Sequence, residues 1–210
     1  MSADKTAIWS YIEGLPIDDE ILIRARERSS NLGAHTVSAA TGSLLSVLAA
    51  TSKAQTVVEI GAGAGVSGIY LLRGLPRAAV LTSIDADIEH LRAAKEAFAE
   101  AGFPANRTRT ISGRAAEVLP RLTDQAYDLV FINGGKKNYP GYVEQGIRLL
   151  KSGGLMVLND ALDGGKVAEP AIREQSTVAL RQIGKALRED ERLVSSLLPT
   201  GEGVLLAVKL

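Results

Sequence analysis

The fold is decided by the stretch Val57-Val58-Glu59-Ile60-Gly61-Ala62-Gly63-Ala64-Gly65-Val66-Ser67. Its first half is typical of a buried strand, and its second half places glycine at every second position. Glycine has no Cβ, so the backbone there can adopt positive φ and approach a ligand closely. The helix expected to follow presents free N–H groups and the positive end of its dipole. The stretch predicts a binding crevice, and we expect Glu59 to face it.

The next predicted strand ends in a second acid, in Ala79-Val80-Leu81-Thr82-Ser83-Ile84-Asp85. A carboxylate at this position can bind the two hydroxyls of a ribose. Together with the glycine turn, Asp85 therefore predicts a site for a nucleoside-bearing cofactor. Dinucleotides and S-adenosylmethionine both carry a ribose, so Asp85 does not distinguish them. A glycine turn that only packs against its neighbours is the alternative.

The turn itself favours S-adenosylmethionine. A dinucleotide site requires G-x-G-x-x-G, whose third glycine lets the helix pack closely on the strand while a pyrophosphate rests on the helix N-terminus. Here Val66 stands at the sixth position. S-adenosylmethionine has no pyrophosphate, but it carries a sulfonium cation and an amino acid end, and a carboxylate such as Glu59 suits both.

Composition limits the partners of the chain. It has 210 residues, 24 Lys and Arg, 24 Asp and Glu, and no cysteine. The zero net charge argues against binding of nucleic acid or anionic membranes through bulk charge, so we expect small-molecule partners. The lack of cysteine excludes disulfides, thiolate metal sites and a cysteine nucleophile. The N-terminus shows no leader pattern and no apolar span reaches membrane length, so we expect a cytoplasmic protein.

The order of apolar and amphipathic runs predicts a single domain over residues 1–210, with a helical cap at 1–50 and a cofactor-binding α/β core at 51–210. In the core, strands alternate with helices, which predicts a mostly parallel sheet with helices on both faces. The last two strands are joined by only a few residues and predict an antiparallel hairpin. The predicted strands are Thr56–Ile60, Val80–Ile84, Arg107–Ile111, Tyr127–Ile132, Gly154–Leu158, Leu193–Leu198 and Gly203–Lys209, and the helices are Val66–Leu75, Ile88–Ala101, Ala115–Leu122, Tyr139–Leu150 and Ala171–Glu189.

This order resembles the class I S-adenosylmethionine-dependent methyltransferases, whose Rossmann-like, seven-stranded sheet ends in such a hairpin. Two segments narrow the resemblance to the catechol and caffeoyl-CoA O-methyltransferases, and to their small bacterial, notably mycobacterial, members. Phe131-Ile132-Asn133-Gly134-Gly135-Lys136-Lys137-Asn138-Tyr139-Pro140-Gly141-Tyr142 is similar to D-A-D-K-x-x-Y-x-x-Y. Asn159-Asp160-Ala161-Leu162-Asp163-Gly164-Gly165-Lys166-Val167 is similar to D-N-V-L-W-x-G-x-V. With the glycine turn, these segments cover the chain from about Val37 to its end.

The resemblance implies which residues hold the cofactor. The methionine end and the ribose would contact the backbone of Val37 and the residues Glu59, Gly61, Ala62, Gly63 and Ser67. The ribose and adenine would contact Asp85, Ala86, Gly113, Arg114 and Ala115, and Asn133 belongs to the same cofactor-binding set.

The metal site of the family is altered here. In the family, an Asp after the strand and a later Asp-Asn pair hold a divalent cation that lowers the pKa of the substrate hydroxyl. The matching residues are Asn133, Asn159 and Asp160, which supply one carboxylate and two amides. The lost carboxylate removes a Coulomb attraction on the order of several kcal/mol at an effective dielectric constant of ~20. We expect Mg²⁺ to bind weakly or only with an anionic substrate. A turn or helix cap at Asn159-Asp160 is the alternative.

Lys136 matches the lysine that takes the proton of the attacking hydroxyl in the family. A partly desolvated lysine near a cation can have a lowered pKa and act as a base. Asn133 is the second predicted catalytic residue, and it would orient the hydroxyl. The alternative for Lys136 and its neighbour Lys137 is a solvated pair in a loop. Tyr139 and Tyr142 are expected to pack around the crevice.

The two histidines and two aromatic residues are weaker candidates. His90 is expected to be solvated on the exposed face of a helix. His35 lies near the cap in the sequence, and it is a candidate to approach the site. Trp9 and Tyr11 are expected to face a partner or the core.

The expected function is O-methyl transfer from S-adenosylmethionine to a hydroxyl of a small-molecule acceptor, with a homodimer implied by the resemblance alone. Two alternatives stay open: a nicotinamide-dependent oxidoreductase, which shares the fold, and a protein that binds the cofactor but has lost turnover. The altered metal residues favour the second alternative. The acceptor is expected to contact the cap and the loops after Asn133, Asp160 and Leu198.

Overall fold

The computed structural model describes residues 5–210, so residues 1–4 at the start of the predicted cap lie outside the described residues. Three helices precede the sheet, and they are α1 at Lys5–Gly14, α2 at Glu20–Asn31 and α3 at Ala39–Ser52. The strands are β1 at Thr56–Ile60, β2 at Val80–Asp85, β3 at Thr108–Ser112, β4 at Tyr127–Ile132, β5 at Leu150–Asn159, β6 at Leu193–Leu198 and β7 at Val204–Lys209. The remaining helices are α4 at Val66–Gly74, α5 at Ile88–Glu100, α6 at Ala115–Val118, α7 at Tyr139–Leu149 and α8 at Gln175–Glu189.

The seven strands form one sheet in the order β3-β2-β1-β4-β5-β7-β6. Strands β1 to β5 pair in parallel, and β7 runs antiparallel to both β5 and β6. This confirms the predicted sheet and hairpin. The antiparallel strand β7 lies between β5 and β6, so β6 forms the edge.

The core lies on both faces of the sheet because successive strand residues point to opposite faces. In β1, Val57 packs in a cluster with α2, α3, α4 and α5, whereas Val58 packs on the other face with α6, α7 and α8. Glu59 follows the same alternation and therefore points to the side of α4. Helix α2 has a side-chain N-cap, because the carboxylate of Asp19 accepts a hydrogen bond from the N–H of Leu22 over 3.1 Å.

At the amino ends of the strands, Asp128 joins β4 to β1. Its Oδ2 accepts the N–H groups of Gln55 and Thr56, each over 2.8 Å. Its Oδ1 lies 2.7 Å from Nζ of Lys151. These bonds tie the amino ends of β1 and β4 together, at the end of the strands opposite the predicted crevice.

Two helices are shorter than predicted. The helix expected from Ala171 begins at Gln175, because Arg181 donates to the carbonyl oxygens of Val167 and Ile172 over 2.9 and 2.8 Å and holds this segment as a turn. The helix expected from Ala115 to Leu122 ends at Val118 and continues as a 3-10 turn. Pro120 lies in that turn and has no N–H to donate.

Within residues 5–210, no helix has both the length and the apolar character needed to span a lipid bilayer.

Candidate active site

A cleft of about 1020 Å³ opens at the carboxyl ends of the parallel strands. Ligands bind at this edge in open α/β folds, and cofactor cavities commonly reach such a volume. The wall is formed by the loops after the parallel strands, by the segment between α2 and α3, and by the β6–β7 turn. The sequence-predicted residues that line it are Gly61, Gly63, Asp85, Ala86, Gly113, Arg114, Ala115, Asn133, Lys136, Asn159 and Asp160.

Four predicted cofactor residues do not line the cleft. All four are buried, and they are Val37, Glu59, Ala62 and Ser67. The backbone contact expected at Val37 is therefore not on the cleft surface, although its neighbours 33–36 form one wall. Contact of these four residues with a cofactor stays a prediction.

Glu59 differs most from expectation. Its carboxylate does not open into the cleft, because Ser67 donates to its Oε1 over 2.5 Å and Ser83 to its Oε2 over 2.7 Å. The side chain is completely buried, and this burial raises the pKa of Glu59 to about 7, although both serine hydrogen bonds lower it. A group that titrates near neutral pH thus lies directly under the glycine turn.

The glycine turn brings two strand ends together. A Cβ on Gly61 would lie 2.5 Å from the carbonyl oxygen of Asn133, and the φ of Gly61 is +86°. Both facts require glycine at this position. Helix α4 packs closely on its neighbours at Gly68, where a Cβ would lie 2.6 Å from the ring of Phe98 in α5 and 3.2 Å from Oε2 of Glu59 in β1. Val66, which stands at the position of the third glycine of the dinucleotide motif, is buried.

Asp85 is held at the rim of the cleft. Its Oδ2 accepts the N–H of Gly63 over 3.0 Å, and its Oδ1 accepts the N–H of Asp87 over 3.0 Å. The N–H of Gly63 therefore ties the acid that ends β2 to the turn that follows β1. The ribose contact of Asp85 stays a prediction.

The prediction that His90 is solvated on an exposed helix face is wrong. Its Nδ1 lies 3.3 Å from Oδ1 of Asp85, its Nε2 lies 3.4 Å from the carbonyl oxygen of Leu32, and it lines the cleft. The segment after α2 covers this face of α5, which helical periodicity alone indicated as exposed. Its position one turn into the helix that follows Asp85 is the signal that could have found it. His35, from the covering segment, also lines the cleft.

The far end of the cleft is formed by the loop after β3. Arg114 lies there with an exposed side chain and is paired with Glu117, which also lines the cleft. Gly113 donates its N–H to the carbonyl oxygen of Asp85 over 2.9 Å. The loop predicted to contact adenine is thus fixed to Asp85, at the end of β2.

The opposite end of the cleft contains Lys136, in a 3-10 turn after β4. Its Nζ lies 2.8 Å from Oδ2 of Asp160 and 2.6 Å from Oδ1 of Asp163. Burial alone would lower the pKa of Lys136, but the hydrogen bonds and charges of the two carboxylates raise it. The expectation of a lowered pKa is therefore wrong, because the charges that surround Lys136 are negative. The alternative of a solvated loop pair holds only for Lys137, which is exposed.

The three predicted metal ligands meet, but their arrangement does not fit a divalent cation. Asn159 donates from Nδ2 to Oδ1 of Asn133 over 2.8 Å, so the two amides satisfy each other. Oδ2 of Asp160 is occupied by the ammonium of Lys136. A divalent ion at this oxygen would have to displace the ammonium. Within residues 5–210, no cluster of three or more His, Cys, Asp or Glu side chains is arranged to hold a metal ion.

The backbone at this end is strained. Asp160 and Asp163 both have positive φ, of +57° and +50°, which is uncommon for residues other than glycine. Oδ1 of Asp160 is buried without a hydrogen-bond partner in the described part of the chain. Strain and unsatisfied polar atoms concentrate at functional sites. This end of the cleft is therefore the candidate catalytic end.

The tyrosines pack as expected around this end. Tyr139 is buried and donates its hydroxyl to the carbonyl oxygen of Asn159 over 3.1 Å. The ring of Tyr142 lies 3.1 Å from the position of a Cβ on Gly134.

Trp9 lines a smaller cavity of about 300 Å³ next to the cleft, whereas Tyr11 is exposed.

The fold and the cleft define this protein as an α/β protein of the class I methyltransferase type. The family model for O-methyltransferases matches residues 17–210. A protein of Mycobacterium tuberculosis named as a probable O-methyltransferase is 49% identical over 203 residues, which cover 97% of this chain and 91% of the relative. A relative in Mycobacterium marinum is 48% identical over 200 residues, which cover 95% and 89% of the two chains.

Solved structures agree with this result. A Corynebacterium glutamicum protein superposes with a TM-score of 0.89 at 33% identity, covering 97% of this chain and 96% of the other. The O-methyltransferase TomG of Streptomyces achromogenes, solved with S-adenosylmethionine, superposes with a TM-score of 0.86 at 26% identity, covering 100% and 99%. The chain belongs to the O-methyltransferase family.

Proposed function

We propose that this protein transfers the methyl group of S-adenosylmethionine to a hydroxyl of a small-molecule acceptor. The observation that carries the proposal is the cleft, which joins a glycine turn and a ribose-binding acid, Asp85, at one end to a charged catalytic end at Lys136. The family membership supports the reaction class, and the structure of TomG with S-adenosylmethionine supports the choice of methyl donor.

The residues of the cleft fit the methyl donor. Gly61 and Gly63 line the cleft with their backbone, against which the ligand would lie, and Asp85 would bind the ribose hydroxyls. Ala86, Arg114 and Ala115 would surround adenine. Glu59 and Ser67 would support the methionine end from beneath, where their mutual hydrogen bond fixes the floor of the cleft.

The reaction needs alignment more than activation of the donor, because a sulfonium is already a good leaving group. The acceptor oxygen would bond to the methyl carbon as the carbon–sulfur bond breaks, and S-adenosylhomocysteine would leave with the electron pair. Lys136 would contact the acceptor oxygen at the catalytic end, with Asn133 beside it. For Lys136 to take the hydroxyl proton, as the resemblance implies, it would first have to lose its own proton while paired with two carboxylates.

Cofactor binding without turnover is the second candidate, and one observation favours it. The residues that match the metal ligands of the family no longer form a site for a divalent cation, since the two amides bind each other. Of these residues only Asn133 belongs to the predicted cofactor-binding set, so cofactor binding does not require a metal site. The nicotinamide-dependent alternative disagrees with the family to which the chain belongs.

The test has two arms on metal-stripped protein. In the first, calorimetry measures binding of S-adenosylhomocysteine, with NAD as the control. In the second, release of S-adenosylhomocysteine is measured with S-adenosylmethionine and a panel of phenols, catechols and hydroxylated acids. Binding and release together support methyl transfer, whereas binding without release supports the second candidate. Binding of NAD instead would contradict both. The homodimer, the single-domain division and the cytoplasmic location stay predictions from the sequence.

A further inference from the structure

We propose that the ammonium of Lys136 takes the place of the divalent cation at the catalytic end, and that Asp163 is the residue that positions it. Methyl transfer by this protein would then need no metal ion. The inference rests on the proposed function for its chemistry, but its geometric basis is independent of any acceptor.

The position of the ammonium is fixed from two sides. Nζ of Lys136 lies between Oδ2 of Asp160 and Oδ1 of Asp163, at 2.8 and 2.6 Å. The side chain of Lys136 is 30% exposed, and the lysine lines the cleft. The ammonium is therefore held in a defined place at the cleft, between two carboxylates. A surface lysine without such partners would be free to move through many rotamers.

Asp163 is anchored more firmly than Asp160, the other carboxylate that contacts Lys136. Its side chain is only 7% exposed. Its Oδ2 accepts from Oγ1 of Thr177 over 2.6 Å and from Oγ of Ser176 over 3.3 Å, both at the start of α8. Its backbone has φ of +50°, and the following Gly164 and Gly165 also have positive φ. The loop after β5 thus bends to direct this carboxylate at Lys136.

The same loop departs from the family at this position. In the similar segment D-N-V-L-W-x-G-x-V, the residue that matches Asp163 is the tryptophan. A carboxylate therefore appears next to Lys136 in a chain in which Asn133 replaces a carboxylate among the matched metal ligands. The two changes act together: one weakens attraction for a metal ion, and the other retains the positive charge of the lysine.

The chemistry follows from the donors of the ammonium. The two carboxylates take two of its three N–H groups, and the third can donate to the acceptor oxygen and stabilise the oxyanion relative to the hydroxyl, which is one action of a catalytic metal ion. Here the hydroxyl would bind against Lys136 and lose its proton to water, and the oxyanion would then attack the methyl carbon. The ammonium keeps its protons throughout, so the step needs no further base and no metal.

The first experiment does not need an acceptor. Mn²⁺ is titrated into protein saturated with S-adenosylhomocysteine, and free Mn²⁺ is followed by electron paramagnetic resonance. The wild-type protein should leave Mn²⁺ free, whereas the double variant Asn133→Asp, Lys136→Met should bind it, because it regains a carboxylate and loses the competing ammonium. Binding of Mn²⁺ by the wild-type protein at micromolar concentration would overturn the proposal. Failure of S-adenosylhomocysteine to bind would instead contradict the proposed function.

The second experiment measures turnover with an acceptor that the panel identifies. The wild-type rate should be the same with EDTA and with Mg²⁺, and a strict requirement for Mg²⁺ would contradict the inference. Lys136→Met should lower kcat by about 100-fold or more, the usual scale for a group that stabilises an oxyanion. Lys136→Arg should retain part of the activity because it keeps the charge. Lys137→Met is the matched control and should stay within about twofold, since Lys137 is exposed and lies outside the cleft.

The role of Asp163 is tested by a double-mutant cycle. Asp163→Asn should lower kcat by about tenfold and leave the KM for S-adenosylmethionine unchanged, because it acts through the lysine. In the Lys136→Met background, the same substitution should have no further effect on kcat. An equal loss in both backgrounds would show that Asp163 serves only the structure of the loop, and this result would overturn its positioning role.

Discussion

Ser67 donates a hydrogen bond of 2.5 Å to Glu59, joining the first turn of α4 to the end of β1 beneath the cleft. Ser83 donates to the other carboxylate oxygen from β2. Burial raises the pKa of Glu59 to about 7, and the charge of Asp85 acts in the same direction, while the two serines act against it. The floor of the cleft therefore contains a carboxyl group whose ionisation is coupled to folding.

The first prediction concerns this coupling. Since the folded-state pKa lies above the ordinary value of 4.5, the folded protein holds this proton more tightly than the unfolded chain. The contribution of Glu59 to stability is fully present below about pH 4.5 and is lost as the pH rises to about 7. Glu59→Gln removes the titration, so its stability relative to wild type should rise by up to about 3 kcal/mol across this window. Urea unfolding at several pH values measures the difference, and a constant difference would contradict the prediction.

The second prediction concerns Asp85, the proposed ribose ligand. Asp85→Asn should weaken binding of S-adenosylhomocysteine by about 10- to 100-fold, because a charge-assisted hydrogen bond contributes roughly 1.5–3 kcal/mol. Asp87→Asn is the matched control. Asp87 accepts the N–H of Glu89 at the start of α5, does not line the cleft, and asparagine caps a helix equally well. Calorimetry on both variants decides the question, and equal affinities would remove Asp85 from the cofactor site.

The third prediction concerns the closest backbone approach in the turn. Gly61→Ala should destabilise the protein and abolish cofactor binding, since its Cβ would lie 2.5 Å from the carbonyl oxygen of Asn133 at a φ of +86°. Gly141→Ala provides the contrast: no atom lies within 4 Å of its Cβ, and alanine favours the helix by about 1 kcal/mol. Thermal unfolding with and without S-adenosylhomocysteine measures both variants. A stable, cofactor-binding Gly61→Ala protein would show that the turn can move apart.

The fourth prediction concerns Asp128, at the amino ends of the strands. Burial opposes ionisation of Asp128, but the bonds from Lys151, Thr56 and Gln55 prevail and lower its pKa to about 2. Its stabilising contribution is present above about pH 4 and is lost as the pH falls to about 2. Asp128→Asn should cost about 1–3 kcal/mol at neutral pH and flatten this acid response. Cofactor affinity should not change, because Asp128 lies away from the cleft. Denaturant unfolding and calorimetry test the two statements, and a loss of affinity would contradict the second.

Local patterns were sufficient for most of the fold. The run from Val57 to Ser67 and the alternation of strands and helices depend on burial and backbone conformation within short segments, so the sheet, the glycine turn and the position of Asp85 were predictable. Helix ends were less predictable. The start of α8 depends on Arg181, which donates to the carbonyl oxygens of Val167 and Ile172 in the segment before the helix.

Side-chain environments were the least predictable part of the site. His90 was expected in solvent, but the segment after α2 covers it. Lys136 was expected to have a lowered pKa, but Asp163, 27 residues further along the chain, is bonded to it. Both errors have one cause: the charge and solvation of a side chain depend on residues that are distant in sequence.

The sequence by itself determined the elements, the glycine turn and the acid after the second strand, since each follows from residue type and spacing. Only the tertiary structure decided that Glu59 is buried, that Asn133 and Asn159 bind each other, and that Lys136 lies between two carboxylates. Those facts depend on distances between separate loops. The direction of a pKa shift is set by such distances, because Coulomb interactions and desolvation act through space and not along the chain.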